Sequence, residues 1–265
     1  MSIEIKAPFF VIAGPCVVES KSILQETASE LVKICGKLGA PLYFKASYKK
    51  ANRTSHDSFS GIGDELALGY LAEIKQEFGV PVITDIHSAG EARYAAEFVD
   101  VLQIPAFLCR QTDILHAAGE TGKTINVKKG QFMPPYAMKE AANKIAATGN
   151  TNIWLTERGT SFGYSDLIVD FRSLLIMKSF GYPVVYDATH SVQKPSLGKQ
   201  SGGAPEYSPA LARGAAAVGI NGLFMETHPD PKNAKSDAAT QIPLSEAEIF
   251  ISNVVKIHKF KESIL

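Results

Sequence analysis

Short apolar runs recur along the chain at residues 9–13, 42–46, 82–85, 101–104, 124–127, 152–156, 184–187 and 222–225, each rich in Val, Ile, Phe, Leu or Tyr. Several are apolar almost throughout, which predicts strands buried on both faces. Longer segments between them carry helical spacing. Residues 20–38 repeat apolar side chains at Ile23, Leu24, Ala28, Leu31 and Ile34, and residues 65–78 do so at Leu66, Leu68, Leu71, Ile74 and Phe78. Gly-Ala-Pro follows Leu38 and Gly-Val-Pro follows Phe78, predicting that both helices stop there. Residues 209–219 and 246–259 read as the last two helices. Strand and helix in alternation predict parallel β/α units. Eight such units in 265 residues predict one α/β domain, residues 1–265, closed as a (β/α)8 TIM barrel. An open doubly wound sheet is the competing architecture. The turn after the first run carries no Gly-x-Gly-x-x-Gly pattern, which argues against its dinucleotide-binding form. Residues 191–207 and 229–244, after strands seven and eight, are rich in Gly, Pro, Ser, Lys and Asp and read as long loops of the kind that form lids.

Polar residues crowd the C-terminal ends of these runs. Strand one leads into Gly14-Pro15-Cys16, and strand two into Lys45, Ser47, Lys50, Asn52 and Arg53. Strand three ends on Asp85 and His87, strand four carries Gln103 and leads to Arg110, and strand five ends on Asn126, Lys128 and Lys129. Strands six, seven and eight end on Glu157-Arg158, Asp187 to His190 and Glu226 to His228. In barrel enzymes that end is the active face. Six cations, Lys45, Lys50, Arg53, Arg110, Lys128 and Arg158, therefore converge on one mouth. A small molecule carrying phosphates and a carboxylate would balance them. Any one of them could instead pair with a neighbouring acid at the surface; all six doing so is the weaker explanation.

Charge then limits the partners. Lys plus Arg equals Asp plus Glu, 27 each, so the chain as a whole is a poor nucleic-acid binder. Three cysteines, Cys16, Cys35 and Cys109, are too few and odd in number for a disulfide framework. No apolar run reaches the length of a membrane span, and no signal-like segment precedes the first strand. A cytoplasmic protein with no membrane or nucleic-acid partner is the expectation.

Cys16, His190, Glu226 and Asp237 form a second constellation, drawn from strands one, seven and eight and the loop after strand eight. In a closed barrel the first and eighth strands are neighbours, so these four side chains fall on one arc. One thiol, one imidazole and two carboxylates suit Fe, Zn, Mn or Co as a divalent ion rather than Mg or Ca. Spacing alone leaves alternatives open: a Cys after a Gly-Pro turn is often only a packed small residue, and His228 could stand in for His190.

Several segments resemble one family closely. They include Ala-Gly-Pro-Cys-Val-Val-Glu-Ser (13–20), Phe-Lys-Ala-Ser (44–47), Lys-Ala-Asn-Arg-Thr-Ser (50–55), Thr-Asp-Ile-His (84–87) and Gln-Ile-Pro-Ala-Phe-Leu-Cys-Arg-Gln-Thr-Asp (103–113). Further along are Asn-Val-Lys-Lys-Gly-Gln-Phe (126–132), Thr-Glu-Arg-Gly-Thr-Ser-Phe-Gly-Tyr (156–164), Asp-Ala-Thr-His-Ser-Val-Gln (187–193) and Phe-Met-Glu-Thr-His-Pro-Asp-Pro (224–231). In that order they resemble the 3-deoxy-D-manno-octulosonate 8-phosphate synthases, from about Phe9 to the last helix.

The resemblance implies condensation of phosphoenolpyruvate with D-arabinose 5-phosphate and water, with release of phosphate, in lipopolysaccharide synthesis. It implies that Lys50, Lys128 and Arg158 hold phosphoenolpyruvate and that Gln131 contacts its phosphate side. Asn52, Arg53 and Thr54 match the segment that holds the sugar phosphate. Lys45, Asp85 and Gln103 join the substrate-binding set, while His190 and Asp237 serve both catalysis and the metal. Arg110 matches a residue contributed across a subunit boundary, implying a homotetramer. Cys16 and the segment Ser236-Asp237-Ala238-Ala239-Thr240-Gln241 follow the metal-dependent branch, with one divalent ion and no organic cofactor. Lys194-Pro195-Ser196 departs from the common Pro-Gly-Gly of that loop. The related 3-deoxy-D-arabino-heptulosonate 7-phosphate synthases are the alternative, opposed by Lys-Ala-Asn-Arg-Thr-Ser where they have Lys-Pro-Arg-Thr. A non-catalytic sugar-phosphate-binding barrel is the other.

Overall fold

A computed structural model describes residues 9–52, 58–164, 166–194 and 202–264. Strands and helices alternate as β1 (Phe10–Gly14), α1 (Lys21–Leu38), β2 (Leu42–Lys45), α2 (Asp64–Phe78), β3 (Val82–Asp85), α3 (Ala89–Phe98), β4 (Val101–Ile104) and α4 (Thr112–Glu120). The second half continues β5 (Thr124–Lys128), α5 (Met138–Ala146), β6 (Ile153–Glu157), α6 (Arg172–Lys178), β7 (Val184–Asp187), α7 (Ser208–Val218), β8 (Gly222–His228) and α8 (Ala247–Ser263). Each strand pairs in parallel with the next, and β8 pairs with β1 from Phe10 opposite Gly222 to Gly14 opposite Glu226. The sheet is closed, as the alternation predicted, and the open-sheet alternative falls.

Local signals set the helix limits. Ser20 caps α1 by accepting from the Ile23 N–H, and Gly39 ends it in the left-handed conformation at φ 64°. Gly79 ends α2 in the same way. Gly14 meets a different demand. A Cβ there would lie 2.1 Å from the Lys45 carbonyl oxygen, so only glycine lets β1 pass this close to the end of β2.

Three features exceed what the pattern predicted. β8 runs to His228 because Thr227 and His228 pair with a short strand, Ile242–Pro243, that returns from the following loop. Beyond β6, Thr160–Phe162 and Asp166–Ile168 form an antiparallel hairpin. The loop after β7 begins as a 3-10 turn, His190–Val192, and continues as an antiparallel pair of Gln193–Lys194 with Gly202–Gly203. Residues 195–201, the centre of the expected lid and part of its Lys194-Pro195-Ser196 departure, lie outside the described residues.

Period-two alternation sorts each strand into a lumen face and a helix face. A small cluster separate from the main core fills the barrel floor: Phe10, Ile12, Ile83, Val101, Val185 and Phe224, with Tyr43 and Trp154 packed against it. The rings of Phe10, Tyr43 and Trp154 sit 4.5–5.4 Å apart, tilted or edge-on. Two residues further along the same strands stand Lys45, Asp85, Gln103, Thr156, Asp187 and Glu226, all buried. The lumen therefore changes from an apolar plug to a charged layer within one side-chain repeat. The main core, between barrel and helices, takes the opposite faces.

Candidate active site

The charged layer is an ordered set of pairs. Lys128, at the end of β5, lies 2.8 Å from an Asp187 oxygen, 3.3 Å from His190 Nδ1 and 3.7 Å from the centre of the Phe224 ring. Lys45 places its ammonium 3.0 Å from Ser47 Oγ, 3.3 Å from Glu226 Oε1 and 3.7 Å from Asp85. Ser47 in turn donates to Asp85. Burial opposes the Asp85 carboxylate, but Lys45, Lys50, His87 and Lys128 outweigh it and hold its pKa well below the usual carboxylate range. The Lys50 ammonium is likewise opposed by burial, yet Cys16 when ionised, Glu226, Asp85 and Asp237 hold its pKa above that of an ordinary lysine. Lys128 moves the other way: burial lowers it, and Lys45 adds repulsion that Asp187, Glu226 and Asp85 only partly offset.

Asp187 had no role in the sequence reading, yet it is the hub of this layer. One oxygen accepts from the backbone N–H groups of Thr189 at 3.1 Å and His190 at 2.8 Å, and the other sits 2.8 Å from His190 Nδ1. This fixes the imidazole and turns Nε2 toward Glu226 and Asp237, 3.8 Å from an oxygen of each. A carboxylate behind a histidine, with the far nitrogen free to ligate, is the usual support for a metal-binding imidazole. The available signal was its place two residues beyond Val185 on the lumen face.

Cys16, Glu226 and Asp237 offer ligand atoms all within 4.8 Å of one another. The Cys16 sulfur is 3.3 Å from Asp237 Oδ2 and 2.9 Å from Ser236 Oγ. Gln241 joins the two loops that carry these groups: its Oε1 accepts from Cys16 N at 3.3 Å, and its Nε2 donates to Ser236 O at 2.8 Å. Asp237 is the one non-glycine among the described residues with a left-handed backbone, φ 44°. Such strain persists where surrounding contacts over-determine it. Burial, with Asp237 and Glu226 nearby, pushes the Cys16 thiol well up despite Lys50 and Lys45. Glu226 Oε2 is buried with no hydrogen-bond partner among the described residues. A thiol and two carboxylates thus form a group able to hold a metal ion, with the His190 imidazole beside the two carboxylates but outside that close group, and a divalent cation is the counter-charge that would let the sulfur ionise. His228 does not share this place. Its Nδ1 accepts from Asp230 N at 2.9 Å, and its Nε2 lies 3.8 Å from Glu19 Oε1.

The remaining predicted residues separate. Arg158 is buried, donating to Gln193 Oε1 at 3.3 Å, and burial lowers its pKa against the pull of Asp187, Glu157 and Asp237. Gln131 is half-buried, and its carbonyl accepts from Ser161 N at 3.0 Å. Asn52 and Arg110 are exposed. Arg53 and Thr54 lie outside the described residues. Of the six expected cations, Lys45, Lys50, Lys128 and Arg158 meet in the mouth, and buried acids accompany them, so the mouth is a charge-paired network rather than a bare cationic funnel.

A closed parallel barrel with lysines, an arginine, a histidine and carboxylates gathered at its C-terminal mouth is the architecture of a (β/α)8 enzyme. The model of the DAHP synthetase I family matches residues 4–261, and the chain belongs to that family. It is 58% identical to a 2-dehydro-3-deoxyphosphooctonate aldolase of Granulibacter bethesdensis, over 91% of this chain and 86% of that one. Proteins of the same name from Trichlorobacter lovleyi and Acidithiobacillus ferrooxidans are 54% and 50% identical, over 89% and 97% of this chain and 87% and 94% of theirs.

Proposed function

We propose that this chain, as a single barrel domain, condenses phosphoenolpyruvate with D-arabinose 5-phosphate and water. The products are 3-deoxy-D-manno-octulosonate 8-phosphate, a precursor in lipopolysaccharide synthesis, and inorganic phosphate. The relatives' shared name supports this reading. The observation that carries it in the structure is a set of unpaired donors at the ends of β4, β5 and β6, apart from the unpaired Glu226 oxygen of the ligand group. Gln103 Nε2, Asn126 Nδ2 and Arg158 Nη1 are buried donors without an acceptor among the described residues. Unmet buried donors are costly, and anionic oxygens would satisfy them.

In the proposed reaction C3 of the enol attacks the aldehyde carbon, water adds to C2, and the C2–O bond to phosphate breaks. The water gives up both protons: one reaches the former aldehyde oxygen, and the other passes from the C2 hydroxyl to the departing phosphate as the C2–O bond breaks and the ketone forms. Lys50, Lys128 and Arg158 hold phosphoenolpyruvate, with Gln131 on its phosphate side and Lys45, Asp85 and Gln103 lining the floor beneath it. Asn52, Arg53 and Thr54 receive the sugar phosphate. Lys50 and Lys128 are shifted in opposite directions, upward and downward respectively, and both supply positive charge toward the substrate's carboxylate and phosphate. Cys16, His190, Glu226 and Asp237 would hold one divalent ion, Fe, Zn, Mn or Co, whose chemistry is to orient or polarise the water or the aldehyde. No organic cofactor is needed.

The test is turnover with each sugar phosphate. Phosphate release with phosphoenolpyruvate and arabinose 5-phosphate is expected, with octulosonate phosphate as product. Faster turnover with erythrose 4-phosphate would instead favour the heptulosonate reaction, the one that the family description names. No product with either sugar and any divalent metal would leave a binding barrel.

Phe107, Phe132, Tyr136, Phe162, Tyr164 and Ile168 are large, apolar and exposed around the loops beyond β4, β5 and β6. That surface supports self-association, and we read it as part of a homotetramer interface through which Arg110 reaches a neighbour's mouth. Phe162→Asp is expected to yield smaller species in sedimentation and to lose activity together with assembly. A wild-type chain that sediments as a monomer would overturn this. No helix among the described residues is long and apolar enough to cross a membrane. All three cysteines are unpaired and buried, which supports a cytoplasmic setting.

A further inference from the structure

Lys129 and Glu157 follow and precede two proposed substrate-binding residues, Lys128 and Arg158, but alternation turns them away from the lumen. Both are fully buried. The Lys129 ammonium sits 3.3 Å from Glu157 Oε1, 3.2 Å from the Gly159 carbonyl, 3.4 Å from those of Gly130 and Met133, and 3.0 Å from Thr160 Oγ1. Glu157 is equally engaged. Its Oε1 accepts from the Arg158 N–H at 3.0 Å and the Gly159 N–H at 2.7 Å, and its Oε2 accepts from Ser173 Oγ at 2.5 Å.

We propose that Lys129 and Glu157 are a positioning pair, fixing the loop after β5 to the loop after β6 so that Lys128, Gln131 and Arg158 act as one grip on phosphoenolpyruvate. This rests on the substrate reading above. The partners of the pair explain the choice of role. Lys129 touches both ends of the turn that carries Gln131, at Gly130 and Met133, and the start of the hairpin at Gly159 and Thr160. Glu157 holds the two N–H groups at the turn where Arg158 leaves its strand. The same turns meet again where Ser161 N donates to the Gln131 carbonyl at 3.0 Å. Apart from the bond from Ser173 on α6, every hydrogen bond of the pair is directed into the two turns that bear one substrate's contacts, which a purely stabilising pair would not need. Neither residue touches the Cys16, Glu226 and Asp237 group, so the pair is specific to one half of the site.

The experiment compares Glu157→Gln, Lys129→Met and Ser173→Ala with the wild-type chain, all shown to be folded by circular dichroism. The readouts are the KM for each substrate and the metal content. Because misplacing a binding group by about 1 Å can cost roughly 100-fold, the first two variants should raise the KM for phosphoenolpyruvate at least about tenfold. The KM for arabinose 5-phosphate and the bound metal should stay within about twofold. Ser173→Ala, the mildest change, should raise the phosphoenolpyruvate KM about threefold through one lost hydrogen bond. Parallel rises in both KM values, or an unmoved phosphoenolpyruvate KM in any folded variant, overturn the proposal. If Lys129→Met does not fold, the other two decide it. Failure of the substrate reading itself would appear separately, as absent turnover in the wild type.

Discussion

Stripping divalent metal with a chelator is expected to abolish turnover, and Mn(II) or a similar ion to restore it. The electrostatics of the C-terminal mouth support this expectation. Three potential anions, at Cys16, Glu226 and Asp237, lie within 4.8 Å of one another. At that spacing their mutual repulsion in a partly dry site is worth several kcal/mol. Burial first, and the two carboxylates second, push the Cys16 pKa well up, which favours the neutral thiol when no cation is bound. A divalent ion would offset this repulsion, with Cys16, Glu226 and Asp237 as the residues that would hold it and His190 beside the two carboxylates. Cys16→Asn replaces the soft donor by a neutral amide. It should bind metal at least about 100-fold more weakly while retaining some activity at saturating metal. Competition with a chromogenic chelator measures the first, and assay across a metal series the second. A metal-driven rise in Tm, present in the wild type and absent in Cys16→Asn, checks the same ligand without any turnover. Full activity of the metal-free protein would refute the proposal, and unchanged metal content in Cys16→Asn would remove that residue from the shell.

Both constellations in the mouth depend on features that differ in how plainly they are written along the chain. The strands were legible because burial on both faces makes each a continuous apolar run, and helices such as α1 because Ser20, Gly39 and a one-sided apolar stripe mark both ends. The closing β1–β8 pair was reachable only through the count of units, and it puts Cys16 beside the Glu226 strand. Charge types were legible and pairings were not. Lys128 and Lys129 look alike in the motif Asn-Val-Lys-Lys-Gly, yet one enters the lumen and the other faces the helix layer, which only the register decides. The same register hides Glu157 and exposes the purpose of Asp187. The hairpin after β6 was missed because Thr160–Phe162 and Asp166–Ile168 are three residues each, too short to show a period. Asn52 and Arg110 fit the motif, but nothing in a motif says that their side chains are exposed in a single chain.

Lys128→Met is expected to lower kcat/KM by about 1,000-fold or more, equivalent to about 4 kcal/mol of transition-state stabilisation. The size of the effect follows from where the ammonium sits. It is buried against the Phe224 ring, 2.8 Å from Asp187 and 3.3 Å from His190, so it stands between the half of the mouth proposed to hold substrate and the half proposed to hold metal. Burial and Lys45 destabilise its charge in the free protein. An incoming carboxylate or phosphate supplies the missing compensation, so the interaction strengthens as the substrate anion arrives and its charge moves during reaction. Breaking a buried pair usually threatens the fold as well. Here the risk is limited, because Lys128 is not the sole partner of Asp187. When the lysine is removed the carboxylate keeps the backbone N–H groups of Thr189 and His190 and its contact with the His190 ring. Lys128→Met should fold, retain metal through His190 and lose turnover, in contrast to Cys16→Asn, which should lose metal first. Steady-state kinetics at saturating metal and metal analysis of the same preparation distinguish the two. A Lys128→Met protein within about tenfold of wild-type kcat/KM would show that the substrate is held elsewhere, because truncating a central charged contact normally costs far more than that.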